Sequence, residues 1–284
     1  MKLVITLLLL LGFFISRAQN NVTFKHLNVE NGLSQSSVLA ITQDSKGFIW
    51  FGTRFGLNKY DSRDFKIYVN EKGDNKSLSH SEYISALLPS RDGKLWVGTP
   101  SGLNKYNEAT DNFDHILYRE NDQNSISNSK INCIYQDRKN RLWVGTANGL
   151  NLLVSEKGYR FKRFFYKKGE IQQVYAIFED SNNKIWLSTS RGLFNMVIEN
   201  RQTKIKYFKD FSEQLNKALD NHVTTFAEDG EHNLWIGTKQ TGLNKLVLKT
   251  ETITTYTYSS LNLSGISSNN IRKIIADREG KLWI

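Results

Sequence analysis

The fold is decided by a stretch that begins at residue 44 and reads Asp44-Ser45-Lys46-Gly47-Phe48-Ile49-Trp50-Phe51-Gly52-Thr53-Arg54-Phe55-Gly56-Leu57-Asn58-Lys59-Tyr60. Copies of this stretch recur to the last residue of the chain, and each copy centres on one tryptophan. All six tryptophans are accounted for, at intervals of 43 to 49 residues: Trp50, Trp96, Trp143, Trp186, Trp235 and Trp283. A period of this length is typical of repeat proteins, whose units bury their apolar faces against one another.

Each repeat contains four strand signals. In the first repeat these are Val38 to Gln43, Phe48 to Thr53, Gly56 to Tyr60 and Phe65 to Val69. The second strand is apolar on both faces, as a strand covered on both sides would be. Four-stranded antiparallel sheets repeated around an axis are typical of a β-propeller. We therefore predict an all-β fold with five complete blades over residues 38–258 and an incomplete sixth blade, as in a fragment of a longer protein.

An aspartate begins the turn between the first and second strands in five of the six copies, while Ser90 holds this place in the second copy. The five residues are Asp44, Asp137, Asp180, Asp229 and Asp277. Such carboxylates resemble catalytic groups, but their recurrence favours a role in building the turn, where an aspartate accepts backbone N–H bonds.

Small residues recur at three further positions of the repeat. The glycines two residues after tryptophan are predicted to leave room for a large ring from a neighbouring sheet: Gly52, Gly98, Gly145 and Gly237. A later set is predicted to adopt positive φ in the next hairpin: Gly56, Gly102, Gly149, Gly192 and Gly242. Ten residues before tryptophan stand small residues expected near a common axis: Ala40, Ala86, Cys133, Ala176 and Thr225. Cys133 is therefore interpreted as a structural residue.

The N-terminus has the parts of a secretory signal: Lys2, an apolar run from Leu3 to Ile15, and small residues ending at Ala18. We predict that residues 1–18 are a signal peptide cleaved after Ala18 and that residues 19–284 are the N-terminal part of the propeller. The apolar run is short for a membrane-spanning helix, which disfavours an uncleaved anchor. A strand is predicted from Val22 to Leu27, matching the fourth strand of a repeat and able to close the ring.

Composition argues against several kinds of function. The chain has 38 basic and 28 acidic residues, a net charge of +10, without a basic run, so we expect no nucleic-acid partner. Its single cysteine precludes an internal disulfide. The five histidines lack zinc-ligand spacing, and neither a Gly-x-Ser-x-Gly elbow nor a phosphate loop occurs. We predict no catalytic residue, no metal and no cofactor in this stretch.

The repeat resembles that of the two-component regulator propeller family. The resemblance rests on Gly32-Leu33-Ser34, Gly47-Phe48-Ile49-Trp50-Phe51-Gly52-Thr53 and Gly56-Leu57-Asn58-Lys59-Tyr60, with copies such as Ser125-Ile126-Ser127 and a Gly-Leu-Asn that returns at Asn104, Asn151 and Asn244. The fourth copy departs most, with Ser188, Phe194 and Met196 in place of Gly, Asn and Tyr. These departures suggest that the fourth copy serves something other than blade packing.

The resemblance implies a periplasmic sensor with seven-bladed propellers, anchored in the inner membrane in the full-length protein. It also implies a downstream histidine kinase, although no kinase motif lies within this chain. An oligosaccharide ligand, the remaining blades and downstream domains of the same chain, and a homodimer of the full-length protein are the implied partners. We therefore expect a ligand-sensing propeller that is non-catalytic in this stretch.

The hairpins between the second and third strands are predicted to emerge, together with the links between blades, on one face around the channel mouth, and binding residues are concentrated on such loops. Arginine and phenylalanine can clamp and stack on a sugar, while amides offer paired donors and acceptors. The candidate residues are Arg54, Phe55, Ser101, Asn148, Arg191 and Gln240. Each could equally be a solvated turn residue.

Two other functions stay open at this stage, since a fold does not fix a function. A secreted propeller lyase or glycan-cleaving enzyme would need a cluster of ionisable groups at the channel mouth, for which His222 is the best candidate. An adhesion or scaffold propeller would bind another protein and no sugar.

Overall fold

The computed structural model describes residues 25–165, 172–199, 202–208, 211, 222–262, 264–277 and 279–284. After a 3₁₀ turn at Val29–Asn31, most of the described chain consists of strands joined by turns and loops. The predicted signal peptide lies outside the described residues. Within the described ranges no helix is long and apolar enough to cross a membrane.

Among the described residues, 22 strands form five complete blades and part of a sixth. Blade 1 contains β1 (Val38–Gln43), β2 (Ile49–Thr53), β3 (Leu57–Tyr60) and β4 (Phe65–Tyr68). Blade 2 contains β5 (Ala86–Pro89), β6 (Leu95–Thr99), β7 (Gly102–Asn107) and β8 (Asn112–Ile116). Blade 3 contains β9 (Ile131–Gln136), β10 (Leu142–Thr146), β11 (Gly149–Ser155) and β12 (Arg160–Phe164).

Blade 4 contains β13 (Val174–Glu179), β14 (Ile185–Thr189), β15 (Gly192–Glu199) and β16 (Gln202–Tyr207). Blade 5 contains β17 (Val223–Glu228), β18 (Asn233–Thr238), β19 (Leu243–Val247) and β20 (Thr252–Tyr256). The sixth blade is represented by the pair β21 (Ile275–Ala276) and β22 (Leu282–Trp283). In every complete blade the strands pair in sequence order and antiparallel, so the predicted incomplete β-propeller is confirmed.

The strand predicted from Val22 to Leu27 lies partly outside the described residues. Its described part, residues 25–27, is not in a strand. Leu27 instead packs on a small apolar cluster around Phe51 and Tyr60 on blade 1.

The tryptophans form the interfaces between consecutive blades. Trp50 packs with Leu95 and Val97 of the second blade, and Trp143 packs with Ile177 and Leu187 of the fourth. The side chains of Trp50, Trp96, Trp143 and Trp186 are buried. Each blade therefore buries the tryptophan of the blade before it, as the apolar character of both faces of the second strand predicts.

The glycine that follows tryptophan accommodates a different neighbour from the predicted aromatic ring. A Cβ added at Gly98 would lie 2.7 Å from Ile131 Cγ2 of the next blade and 2.9 Å from Ala86 Cβ of its own blade. A Cβ at Gly237 would lie 2.6 Å from Ile271 Cγ2. The prediction of a ring was wrong because the next blade presents a β-branched aliphatic side chain here.

The second set of glycines follows the prediction with one exception. Positive φ angles occur at Gly56, Gly149, Gly192 and Gly242. Gly102 does not have positive φ. Gly102 instead has no room for a side chain, because an added Cβ would lie 2.6 Å from Leu117 Cδ2.

The departures of the fourth blade serve packing, contrary to our expectation. The Ser188 hydroxyl donates to the carbonyl oxygen of Val223 on blade 5, at 2.9 Å. Phe194 packs on Phe165 and Tyr207, with ring centroids 5.4 and 4.7 Å away, and Met196 is buried in the blade core.

Asp111 joins the outer strands of the first two blades. Its carboxylate accepts hydrogen bonds from Tyr106 Oη at 2.6 Å and from Tyr68 Oη at 2.7 Å, and it pairs with the Lys66 ammonium group. Burial by itself raises the pKa of this carboxyl group. The hydrogen bonds from Lys66, Tyr106 and Tyr68 together outweigh burial and hold the pKa at about 2.

The low pKa of Asp111 predicts a pH-dependent contribution to stability. Since the folded-state value lies below the ordinary value of 3.8, the charged group stabilises the fold above about pH 4, and this contribution is lost as the pH falls towards about 2. We expect Asp111→Asn to reduce the free energy of unfolding at neutral pH by at most about 1 kcal/mol, because the ion pair is partly exposed. Urea unfolding should show this deficit shrinking below about pH 4; a deficit independent of pH would contradict the assignment.

Candidate functional site

The hairpins between the second and third strands lie at the same end of the blades as the connections between blades. The first residue of a hairpin donates its N–H to the segment that precedes its own blade, as for Arg54 N to Ser37 O at 3.1 Å and Ser190 N to Gln173 O at 2.9 Å. The glycine that ends a hairpin bonds to the next connection, as for Gly56 N to Ser81 O at 2.6 Å. We call the surface formed by these hairpins and connections the hairpin face.

A threonine at the end of each second strand fixes the backbone of the following hairpin. Its hydroxyl accepts a loop N–H two or three residues later, at 3.0 to 3.1 Å in every blade. The five threonines are buried: Thr53, Thr99, Thr146, Thr189 and Thr238. The loop side chains of the hairpin face therefore extend from a backbone that is hydrogen-bonded to buried threonines.

A buried polar network anchors the connection before a blade. Ser127 N donates to Asn151 Oδ1 at 2.8 Å, and the Ser127 and Thr146 hydroxyls lie 2.9 Å apart. Asn151 Nδ2 donates to the Val144 carbonyl at 3.0 Å. The same contacts recur in the first two blades. The motif residues that carry the family resemblance thus hold the connections before blades 1, 2 and 3 against the blade that follows.

Removing this amide should loosen the hairpin face of blade 3. We expect Asn151→Leu to lower the free energy of unfolding by about 2 kcal/mol, because the buried Ser127 N–H and Val144 carbonyl lose a partner. Urea unfolding measures the change in free energy. The exchange rate of the Ser127 amide hydrogen should increase more than the exchange rates of the strand amides. Unchanged exchange at Ser127 would contradict the anchoring role.

The candidate residues of the first hairpin are exposed and adjacent to the next connection. The Arg54 guanidinium carbon lies 5.5 Å from the centroid of the Tyr83 ring. Phe55 forms an isolated antiparallel bridge with Glu82, and its side chain is 50% exposed. Tyr83 is also 50% exposed and has a φ of 54°, a conformation that favours glycine. The structure therefore brings Arg54 and Phe55 together with Tyr83.

Sequence reasoning missed Tyr83 because it lies in the connection between blades, 28 residues after Phe55. The connections share a serine motif, which does not include Tyr83. The signal that could have identified it lies thirteen residues before tryptophan, where Tyr83 stands in place of the polar residues of other copies, such as Ser37 and Lys130.

The remaining candidate residues lie on the hairpins of other blades. Ser101 and Asn148 are half-buried, and Asn148 Oδ1 accepts the backbone N–H of Gln172 at 3.4 Å. Arg191 is exposed and its carbonyl accepts the Tyr207 hydroxyl at 3.1 Å. Gln240 is exposed and lines a cavity of about 470 Å³ with Thr241, Asn244 and Thr255. All four lie on the hairpin face, each on its own blade.

No cluster of catalytic or metal-binding type is found in the part of the chain that the structure describes. No group of three or more His, Cys, Asp or Glu residues there is arranged to hold a metal ion. The His222 ring stacks on Tyr175, with centroids 4.2 Å apart. Burial raises the pKa of the Cys133 thiol to about 12, which agrees with its structural interpretation.

A larger cavity, of about 960 Å³, lies beside the two strands of the sixth blade. Its apolar wall contains Trp235, Tyr256 and Leu282. In blade 3, Leu153 and Phe161 of the third and fourth strands belong to the cluster that covers Trp96 of the preceding blade. The cavity lies beside Trp235, which is half-buried.

Comparison with known proteins gives matches to the repeat, to one curated protein and to solved structures. The family model described as "Two component regulator propeller" matches residues 32–55, 77–101, 125–148, 169–191 and 218–240. The curated protein "Histidine kinase P4" of Formosa agariphila is 53% identical over 64 residues, which are 22% of this chain and 5% of that protein. The chain thus spans a small part of the curated relative.

Among solved structures, the extracellular domain assigned to the hybrid two component system BT4673 of B. thetaiotaomicron has a TM-score of 0.61 at 23% identity, over 89% of this chain and 37% of that one. PorZ of Porphyromonas gingivalis has a TM-score of 0.59 at 16% identity, over 86% and 38%. Virginiamycin B lyase of Staphylococcus aureus has a TM-score of 0.62 at 13% identity, over 91% and 80%. These structures share the fold. Each matched segment contains the first and second strands of one complete blade, so the sequence matches show two-component regulator propeller repeats in blades 1 to 5.

Proposed function

We propose that this chain is the non-catalytic, ligand-sensing propeller region of a two-component sensor histidine kinase. The proposal is supported by the five matched repeats and by the similarity to Histidine kinase P4 and to the extracellular domain assigned to BT4673. Export to the periplasm and an inner-membrane anchor in the full-length protein belong to the same proposal, as do a downstream kinase, the remaining blades and a homodimer.

The observation that carries the sensing role is the construction of the hairpin face. Its backbone is anchored by buried threonines, yet Arg54, Phe55, Arg191 and Gln240 are exposed above them. Aromatic, guanidinium and amide side chains on a rigid support suit a ligand that has both flat C–H surfaces and many hydroxyl groups. We therefore propose an oligosaccharide as the ligand.

The proposal is tested by calorimetric titration of the purified protein with a panel of neutral and acidic oligosaccharides. Binding to at least one member is expected, and Phe55→Ala should weaken it about tenfold or more, because stacking area is lost. Ile205→Ala, on the outer strand β16, removes a comparably exposed apolar side chain at the end of blade 4 away from its hairpin, since Ile205 pairs with Met196 opposite the start of β14, and should leave binding unchanged. Failure of every oligosaccharide to bind would overturn the sensing role, and tight binding to a protein alone would favour an adhesion propeller.

The enzyme alternative is not adopted, since no specific observation favours it. Similarity to virginiamycin B lyase at 13% identity concerns the fold alone. A glycan whose turnover disappears in His222→Ala would revive this alternative.

A further inference from the structure

We infer that Arg54, Phe55 and Tyr83 form a subsite for an acidic sugar unit, one that carries a carboxylate or sulfate group. The inference deepens the proposed function and rests on it, because it specifies the class of oligosaccharide that the hairpin face binds. It concerns the junction of blades 1 and 2, where the Arg54 guanidinium group lies over the half-exposed Tyr83 ring and the half-exposed Phe55 is the next residue in the chain.

Arg54 is available for an anionic ligand. No carboxylate of the described residues lies within ion-pair distance of its guanidinium group, in contrast to Arg141, which pairs with Asp137. The ring of Tyr83 supports one side of this group at 5.5 Å. A guanidinium held in this way keeps its planar fork of donors for a carboxylate or sulfate, which it binds through two parallel hydrogen bonds.

Backbone hydrogen bonds join the two segments that carry Phe55 and Tyr83. Phe55 pairs with Glu82, Gly56 N donates to Ser81 O at 2.6 Å, and Ile84 N donates to Thr53 O at 3.0 Å. These bonds join the hairpin of blade 1 to the connection that leads into blade 2. Phe55 and Tyr83, each half exposed, therefore lie on two backbone segments that are bonded to each other, and both offer apolar surface to a sugar ring.

The charge of the hairpin face favours an anion. The five hairpins between second and third strands contain Arg54, Arg191 and Lys239 and no acidic residue. In contrast, every complete hairpin between first and second strands contains an aspartate. Glu82 is the acidic residue nearest in sequence to the subsite, and among the described residues its carboxylate forms no ion pair with Arg54. An acidic sugar thus meets hairpins that contain basic residues and no acidic residue.

The test compares three oligosaccharides of equal length by calorimetry: a galacturonate oligomer, a sulfated galactose oligomer and a neutral galactose oligomer. We expect one of the two acidic oligomers to bind more tightly than the neutral one, and its affinity to fall as salt is raised. Arg54→Gln should weaken acidic binding about tenfold or more, while Arg54→Lys should retain part of it. The matched control Arg160→Gln removes an exposed arginine at the start of β12 and should change nothing.

The outcomes separate this inference from the proposed function. Equal binding of neutral and acidic oligomers, or acidic binding that Arg54→Gln leaves unchanged, would overturn the acidic subsite and leave oligosaccharide sensing intact. Absence of binding to all three, extended to the full neutral and acidic panel, would overturn both. Preference between carboxylate and sulfate identifies which anionic group the Arg54 fork receives.

Discussion

Gly145→Ala is expected to destabilise the interface between blades 3 and 4 by about 2 to 3 kcal/mol. The added Cβ would lie 2.4 Å from Cys133 Sγ and 2.9 Å from Val174 Cγ1, well inside van der Waals contact. Both neighbours are held by strands, Cys133 by its pairing with Gly145 and Val174 by its pairing with Thr189. The backbone must therefore shift to accept one methyl group. The urea midpoint, followed by tryptophan fluorescence, measures the loss.

Two variants make this expectation specific. Gly230→Ala is the matched control, because the nearest atom to its added Cβ is 3.9 Å away and its φ is not positive; its midpoint should stay close to that of the natural chain. Cys133→Ala combined with Gly145→Ala should recover part of the loss, since the thiol is the closest obstacle, and residues in contact do not act additively. Equal midpoints for Gly145→Ala and Gly230→Ala would rule out close packing as the reason for the glycine.

The architecture could be predicted because the sequence contains six copies of one pattern. A single Trp50 or Asp44 is ambiguous, but five more copies at a regular interval allow only a blade. The predicted strand bounds of blade 1 agree with the structure within one residue. The recurrence of Asp44 also predicted a role in building the turn. The structure confirms this role, since Asp44 Oδ1 accepts the backbone N–H groups of Lys46 and Phe48.

The partner of the glycine two residues after tryptophan was predicted incorrectly, although the sequence contained the necessary signal. Position twelve before each tryptophan is always β-branched: Val38, Ile84, Ile131, Val174, Val223 and Ile271. Such residues suit a strand, so the pattern alone does not reveal which blade they contact. Only the curvature of the sheet array brings Ile131 of blade 3 against Gly98 of blade 2.

The candidate site was less predictable than the fold, because a site depends on residues that do not repeat. The placement of Arg54 and Phe55 at the end of a blade follows from the hairpin pattern. Their neighbour Tyr83 belongs to the next connection, and its proximity depends on the Phe55–Glu82 bridge. No periodicity in the sequence predicts a contact between a hairpin and the connection that follows its blade.

Replacement of the turn aspartate of blade 3 is expected to have the largest effect on stability. Asp137 is fully buried, and its Oδ1 accepts Lys139 N at 3.0 Å and Arg141 N at 2.9 Å. Its Oδ2 accepts Trp143 Nε1 at 2.8 Å and Arg141 Nε at 2.5 Å. In Asp137→Ala the buried indole N–H and the arginine lose their acceptor together. We expect a loss of about 3 to 5 kcal/mol in the free energy of unfolding.

The sixth blade provides a matched control for this prediction. Asp277 makes the same turn bonds to Glu279 N and Lys281 N, and it accepts Trp283 Nε1 at 2.9 Å. There the tryptophan is 65% exposed, so water can replace the carboxylate. Asp277→Ala should therefore cost under about 1 kcal/mol. Urea unfolding of both variants measures how much free energy of unfolding each one loses. Equal losses would mean that the stabilisation by Asp137 comes from its hydrogen bonds alone and does not depend on their burial beneath the next blade.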